Sequence, residues 1–235
     1  MALLPENMTS EHGSSLTAPV TDFATTGLPE KPSVTEAELR EDADVLASGW
    51  RPLPSATTYD ALSKRLVELR VRLSECLKAC RKIATTNELT PQLELLESSR
   101  MFQVAIPTDE TVASLFRQLP HVRVASGDDL PQVVHLAMGY LAAAKGIWSP
   151  ESLEIYVEQV QRHHPLLLRE IQLLPDSLKL AQLQFILDRA DEAFAAGELP
   201  PIESSPFSAP IHSLRRLSQA EWSEVLEALI PFGGI

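Results

Sequence analysis

Glycine is scarce in this chain, at 9 of 235 residues against 18 prolines. Few positions therefore favour the positive-φ turns that tight β-hairpins require, and strongly alternating apolar–polar runs are absent. Both absences argue against an all-β architecture and leave helix as the expected majority state. The only two cysteines, Cys76 and Cys80, cannot build a disulfide framework. No apolar run approaches the ~18 residues that would span a bilayer, so no membrane span is expected here. The opening MALLPENMTSEHG has neither a basic stretch nor a long apolar one, unlike a secretory signal. A cytoplasmic location is the default expectation. Lys and Arg number 20 against 32 Asp and Glu, for a net charge of −12. A nucleic-acid-binding module needs clustered cations to displace phosphate counterions, so no nucleic-acid partner is expected. The signatures GxSxG, P-loop, HExxH and GxGxxG are all missing.

What is present is a succession of helix patterns cut by prolines. Residues 1–35 are rich in Ser, Thr, Pro and Glu, carry too few large apolar residues to offset ordering entropy, and read as disordered. Met1–Asp60 holds 10 acidic and 3 basic residues, which is −7 of the −12. A short helix over Glu36–Ala47 is expected within this acidic tail, which the run Arg51–Ser55 ends. From Leu62 to Ile83, Leu62, Leu66, Leu69, Leu73, Cys76, Cys80 and Ile83 recur at steps of four and three, an a/d seam of about three heptads. The other faces carry Lys64, Arg65, Arg70, Arg72, Lys78, Arg81 and Lys82, a solvated basic face that anionic lipid could also meet. Thr90-Pro91 caps a helix running to about Val104, with Leu93, Leu96, Met101 and Val104 near one face; Thr108 caps the next, Asp109–Leu119. His121–Asp129 reads as a loop.

Asp129-Leu130-Pro131 opens a helix with Val133, Val134, Ala137, Tyr140 and Leu141 on its apolar face and Gly146 past its end. Ser149-Pro150-Glu151 starts another, presenting Leu153, Tyr156, Val157 and Val160 and stopping near His163 before Pro165. A short helix over Leu166–Leu174 follows, and Pro175-Asp176 opens a long one through Leu178, Ala181, Leu183, Phe185, Ile186, Ala190 and Phe194 to Gly197. Short connections imply antiparallel helical hairpins. Glu198–Pro210 reads as a proline-rich linker, and Ser218-Gln219-Ala220-Glu221 as a capping box before a final helix with Trp222, Val225, Leu226 and Leu229. The expected fold is all-α: antiparallel helical hairpins in a bundle behind a disordered N-terminal tail. The expected organisation is a tail over 1–55, a bundle over 56–197, a linker over 198–212 and a C-terminal helix over 213–235.

No set of residues assembles a site. Cys76 and Cys80 lie one helical turn apart with no His or Cys nearby to complete a zinc tetrahedron. His163-His164 point apart on a helix end and favour a solvated terminus over a chelate. Asp188, Asp191 and Glu192 read as the wet face of an amphipathic helix, and His135 as a partly buried histidine rather than a general base. A metal-dependent hydrolase using His163 or His164 with Asp188 is the weakest alternative. Trp50, Trp148 and Trp222 are too scattered in sequence for a sugar-stacking platform. No catalytic, cofactor-binding or metal-ligating residue is assigned, and no cofactor is expected.

Pro131, Val133, Ala137, Tyr140, Trp148, Pro150, Glu151, Leu153, Tyr156, Val157, Gln161, Pro165, Leu166, Glu170, Leu178, Lys179 and Asp191 follow one another without a gap in an order that resembles a known family. The family is the bacterial cyclic β-1,2-glucan synthases, large glycosyltransferases with a glycoside-phosphorylase-like C-terminal domain, and the likeness is to their N-terminal helical region. It resumes at Ser213-Leu214-Arg215-Arg216-Leu217-Ser218 and Trp222, similar to the family's S-L-R-x-L-S…D-W segment. The family's G-E-L-W is Arg169-Glu170-Ile171-Gln172 here, and a family tyrosine is Val160. The resemblance implies a non-catalytic helical segment preceding a membrane-embedded, UDP-glucose-using transferase, with that downstream domain as its partner. It also implies that the chain is a truncated N-terminal piece of such an enzyme, or the product of a split gene. The alternative expectation is a stand-alone interaction protein dimerising through the Leu62–Ile83 seam.

Overall fold

A computed structural model describes residues 34–53, 61–83, 90–107, 110–123, 129–196 and 204–230, the side chains of 83 and 110–113 apart. The expectations for residues 1–33, for Gly197 as a helix end and for the closing PFGGI lie outside this set. All described residues belong to one unit, Lys31–Ile235. Its elements are α1 (Glu36–Ser48), β1 (Arg51–Pro52), α2 (Ala61–Ile83), α3 (Pro91–Glu97), α4 (Ser99–Ala105), α5 (Glu110–Arg117), β2 (His121–Arg123), β3 (Asp129–Pro131), α6 (Gln132–Ala143), α7 (Pro150–Gln161), α8 (Leu168–Ala196), α9 (Ser208–Gln219) and α10 (Trp222–Leu229). The fold is all-α, with one small sheet among the described residues.

Helix α8 is the centre. It packs most extensively on α6 and α9 and also touches α2, α4 and α10. Over Ser177–Leu183 every residue but Lys179 is buried. The expected break at Pro175 does not occur: one helix runs through it. An interior proline removes a backbone donor and crowds the carbonyl four residues back, at a cost of about 3 kcal/mol. Ile171 and Leu174 before it and Leu178 and Ala181 after it are all buried, and their burial, worth about 1.5–3 kcal/mol for each large side chain, offsets that cost.

Helix α1 is part of the bundle, not of a tail. Thr35 and Glu38 form a full capping box at its start. Its inner stripe of Leu39, Ala43 and Ala47 packs on α6 and α7, with Trp50 buried just beyond. Two alanines contribute little hydropathy to the sequence pattern but let helix axes approach closely. Gly139 on α6 serves the same approach, since a Cβ there would lie 2.6 Å from Leu46 Cδ2 and 2.8 Å from the Tyr156 hydroxyl.

The sequence from Thr90 forms two helices rather than one. Thr90 caps α3 as expected, and the chain re-phases at the buried Ser98. Leu95, Phe102, Ala105 and Ile106 turn inward, while Val104 is 76% exposed. Ile106, preceding Pro107, is extended, which ends α4. The expected loop over His121–Asp129 contains β2 and the start of β3. The sheet order is β1-β2-β3, both pairs antiparallel, with Arg51 opposite Arg123, Val122 opposite Leu130 and Arg123 opposite Asp129. Arg123 grips Asp129 across the strands at 2.7 and 2.8 Å.

Helix α9 replaces the end of the expected linker. Pro210 sits in its first turn, where a proline is tolerated, and Phe207, Pro210, Ile211, Leu214 and Leu217 are buried. Ser218 is not an N-cap, because it lies inside α9 and its hydroxyl donates to the Leu214 carbonyl at 2.9 Å. The start of α10 has no side-chain cap.

The heptad seam of α2 forms, but inside the molecule. Leu62, Leu66, Leu69, Leu73, Cys76 and Cys80 are all buried, against α3, α8, β3 and α5. These six side chains are covered by other elements of the same chain and not presented at its surface.

Candidate functional site

Three polar assemblies bind the helices together and absorb residues that the sequence offers as chemistry, and a fourth polar site is a buried carboxyl. The first joins α1 to α7. Asp44 Oδ1 accepts from Gln159 Nε2 at 2.6 Å and lies 2.8 Å from His163 Nε2. These hydrogen bonds hold the Asp44 carboxyl below the usual carboxylate range. His164 Nε2 meets the Ala47 carbonyl at 3.0 Å, and its ring lies 5.3 Å from Trp50. Arg40 reaches Glu158 at 3.4 Å and Glu36 at 2.9 Å. The adjacent histidines thus dock α1; they are not a bare solvated helix end.

The second assembly joins α2 to α8. Arg72 donates to Asp188 at 2.8 Å and to Asp191 at 2.6 Å. Cys76 and Cys80 lie on the same helix as free, buried thiols. The neighbouring Cys80 sulfur and burial push the Cys76 thiol up. His163 and His164 are engaged with α1 and Asp188 with α2, so the structure does not bring these hydrolase candidates together. Among the described residues no group of three or more His, Cys, Asp or Glu is placed to hold a metal ion.

The third assembly lies where α6, α7, α8 and α9 meet. Lys145 and Gly146 both have positive φ, at 52° and 76°, and end α6. A Cβ on Gly146 would lie 2.4 Å from the Phe185 ring, so glycine is required there by both conformation and space. Gln182 donates to the Gly146 carbonyl at 3.0 Å and accepts from Ser213 at 3.2 Å; Ser213 in turn accepts from the Trp148 backbone N–H at 2.9 Å. Gln182 and Ser213 are buried, so this network fixes one register for α9 on α8. The Trp148 ring lies 5.6 Å from that of Trp222, tilted by 43°, with the Arg216 guanidinium 5.5 Å over the Trp148 ring. Trp148 is 3% exposed, so it offers no face for a sugar ring. Close by, Tyr140 accepts from the Ser149 N–H at 3.1 Å and meets Ser152 Oγ at 2.7 Å, which pins the start of α7. Burial pushes the Tyr140 hydroxyl up to about 12.

The fourth is Glu170, fully buried in the first turn of α8. Its Oε2 accepts from the Leu167 N–H at 2.9 Å, while Oε1 is buried with no hydrogen-bond partner among the described residues. Burial pushes this carboxyl up to about 7. His135 is 6% exposed, on α6. His121, on β2, is buried with Nδ1 2.8 Å from the Leu119 carbonyl, and burial pulls its pKa down.

Two of the surface grooves among the described residues have apolar walls. One, between α1 and α6, has Val45, Leu46, Gly139 and Ala142 as its apolar wall, with Asp42 at the edge. The other lies between α2 and α4 and carries Arg70 and Arg81. Sequence reading missed both, because a groove depends on which helices become neighbours. No helix among the described residues is long and apolar enough to cross a membrane.

These features define a class: an all-α bundle whose ionisable side chains hold helix to helix, with grooves on its outside. In comparison with known proteins, no protein-family model matches the chain and no curated protein matches it.

Proposed function

We propose that this chain is a non-catalytic helical module of a large, cyclic β-1,2-glucan synthase-like glycosyltransferase, residing on the cytoplasmic side and packing against the transferase domain that uses UDP-glucose. One observation carries the reading. The two stretches that resemble the family, Leu130–Asp191 and Ser213–Trp222, meet in space through Trp148, Gln182, Ser213, Arg216 and Trp222. Trp148, Ser213 and Trp222, which are alike in two separate stretches, thus serve a single junction together with Gln182 and Arg216, which are not part of the likeness. Two of the departures fit the same reading: Arg169 and Gln172, which replace the family's glycine and tryptophan, are exposed, whereas the matching Glu170 is buried; the third, Val160 in place of a family tyrosine, is buried. Substitution at exposed positions costs little.

The test has two parts. The purified chain should neither hydrolyse UDP-glucose nor cleave β-1,2-glucan, and turnover of either by the chain alone would overturn the proposal. In source cells, an antibody against the bundle should recover it joined to, or bound to, a glucan-synthesising transferase. Recovery of the bundle with no transferase would also sink it.

A further inference from the structure

Helices α1 and α2 carry opposite charge. Helix α1 has five Asp and Glu against one Arg, whereas α2 has seven Lys and Arg against two Glu. Each also shows apolar side chains that the fold leaves uncovered. Val45 on α1 is 67% exposed, and Val67 and Val71 on α2 are 57% and 51% exposed.

The two faces have matching layouts. On α2, Lys64, Val67, Val71, Glu75, Lys78 and Lys82 recur at steps of three and four and form one exposed stripe on the outside of the helix, away from its buried seam. On α1, Glu38, Glu41, Asp42 and Val45 form another exposed stripe, which walls a trough against α6. Two hollows of about 350 and 220 Å³ make up this trough and share Asp42 and Ala143. Val45, Leu46, Gly139 and Ala142 give it an apolar end, at which Val45 and Ala142 are exposed. Glu38, Glu41 and Asp42 line the other end, beside Lys145. Lys64 and Lys78 each lie seven positions from Val71, and Glu38 lies seven positions from Val45, about 10 Å along a helix in each case. With Val71 seated on the apolar end, a lysine therefore stands over the acidic end whichever way α2 runs along the trough. An anionic bilayer would answer the lysines of α2 but not the carboxylates of the trough. A second copy of this chain answers both, because the two faces are halves of one contact.

We infer that the exposed face of α2 in one copy of this chain docks in the α1–α6 trough of a second copy, with Val67 and Val71 against Val45 and Ala142 and the flanking lysines against Glu38, Glu41 and Asp42. The contact joins unlike faces, so it builds chains or closed rings. It is small and charge-rich, and therefore weak and salt-dependent. It stands apart from the glycosyltransferase reading, which rests on the junction of Trp148, Ser213 and Trp222.

The test is sedimentation equilibrium of the full chain and two variants in low salt. The parent should self-associate as its concentration rises, and about 0.5 M salt should weaken the association about ten-fold. E41K/D42K spoils the trough and K64Q/V67Q/V71Q/K78Q spoils the α2 face, each at exposed positions. Both should weaken self-association about ten-fold or more, with circular dichroism spectra like the parent's. Mixing the two variants is the decisive step. Each keeps the face that the other lacks, so an equimolar mixture should form a one-to-one complex about as tight as the parent contact. A parent that stays monomeric to about 0.5 mM overturns the inference. So does association that survives undiminished in either variant, or a mixture that stays monomeric. Binding of a monomeric parent to phosphatidylglycerol vesicles, lost in the α2 variant and kept in E41K/D42K, would assign the α2 face to a membrane and overturn it as well.

Discussion

Helices α2 and α8, 23 and 29 residues long, lie against each other and handle polarity in opposite ways. The first buries one apolar stripe and carries its charges outside. The second is enclosed on nearly every side at its middle and takes polar groups inward: Glu170, Ser177 and Gln182 are each fully buried. A one-sided helix displays its period in the sequence, but a central helix has little polar face left to mark the period by contrast. The same difference should appear in energetics. Charge changes on α2 should cost little and respond to salt, whereas polar changes on α8 should cost much and respond to pH.

The largest expected effect is at Glu170. Its folded pKa, about 7, lies above the ordinary value of 4.5. Between those values the folded state holds a proton that the unfolded state has released, so stability falls as pH rises from about 4.5 to about 7 and then levels. The loss amounts to roughly 3 kcal/mol from this group. Glu170→Gln keeps an oxygen for the Leu167 N–H and cannot ionise. Urea unfolding at pH 5 and pH 8 should find the variant more stable than the parent at pH 8, with a smaller difference at pH 5. Identical pH profiles for the two proteins would mean that α8 holds its carboxylate as easily as α2 holds its surface charges.

A smaller effect is expected at Pro175. If α8 is one helix held together by its surroundings, Pro175→Ala restores a donor toward the Ile171 carbonyl and relieves crowding. It should raise stability by about 1–2 kcal/mol, the interior-proline cost less the burial that the ring contributes. A loss of stability in the same urea titration would instead favour Pro175 as the pre-organised start of a separate helix, and α8 would then no longer be a continuous counterpart to α2.

The two helices also show what was legible in the sequence. The α2 seam, the Ser149 cap with Pro150 and the positive-φ Gly146 could all be read, because each rests on local chemistry: a period, a side-chain acceptor, a missing Cβ. Continuity through Pro175 could not, because it depends on burial by α6 and α9. The start of α9 was hidden by Ser and Pro residues that suit both a linker and a first helical turn. The sheet escaped notice because β1 has two residues and its partner β2 lies some seventy positions away. The role of α1 was hidden by its alanines. At the candidate sites, the individual histidines, aspartates and tryptophans were visible, but their partners were not: Asp44 for His163, Arg72 for Asp188, and Ser213 for Trp148 are all distant in the chain.

Arg72 sharpens the comparison from the side of α2, with the smallest effect. Its side chain is 31% exposed, and its partners Asp188 and Asp191 are 49% and 59% exposed. Water and salt screen such a pair, so a double-mutant cycle of Arg72→Ala with Asp191→Ala should give a coupling of about 0.5–1 kcal/mol. The coupling should shrink further in 1 M salt, where the screening length falls to about 3 Å. A salt-insensitive coupling above about 2 kcal/mol would place this clamp in the energetic class of a desolvated pair. In that case the contact between α2 and α8 would be held by its charges rather than by the seam of Leu66, Leu69 and Leu73, and the contrast between a helix that is charged outside and one that is polar within would fail at the point where the two helices touch.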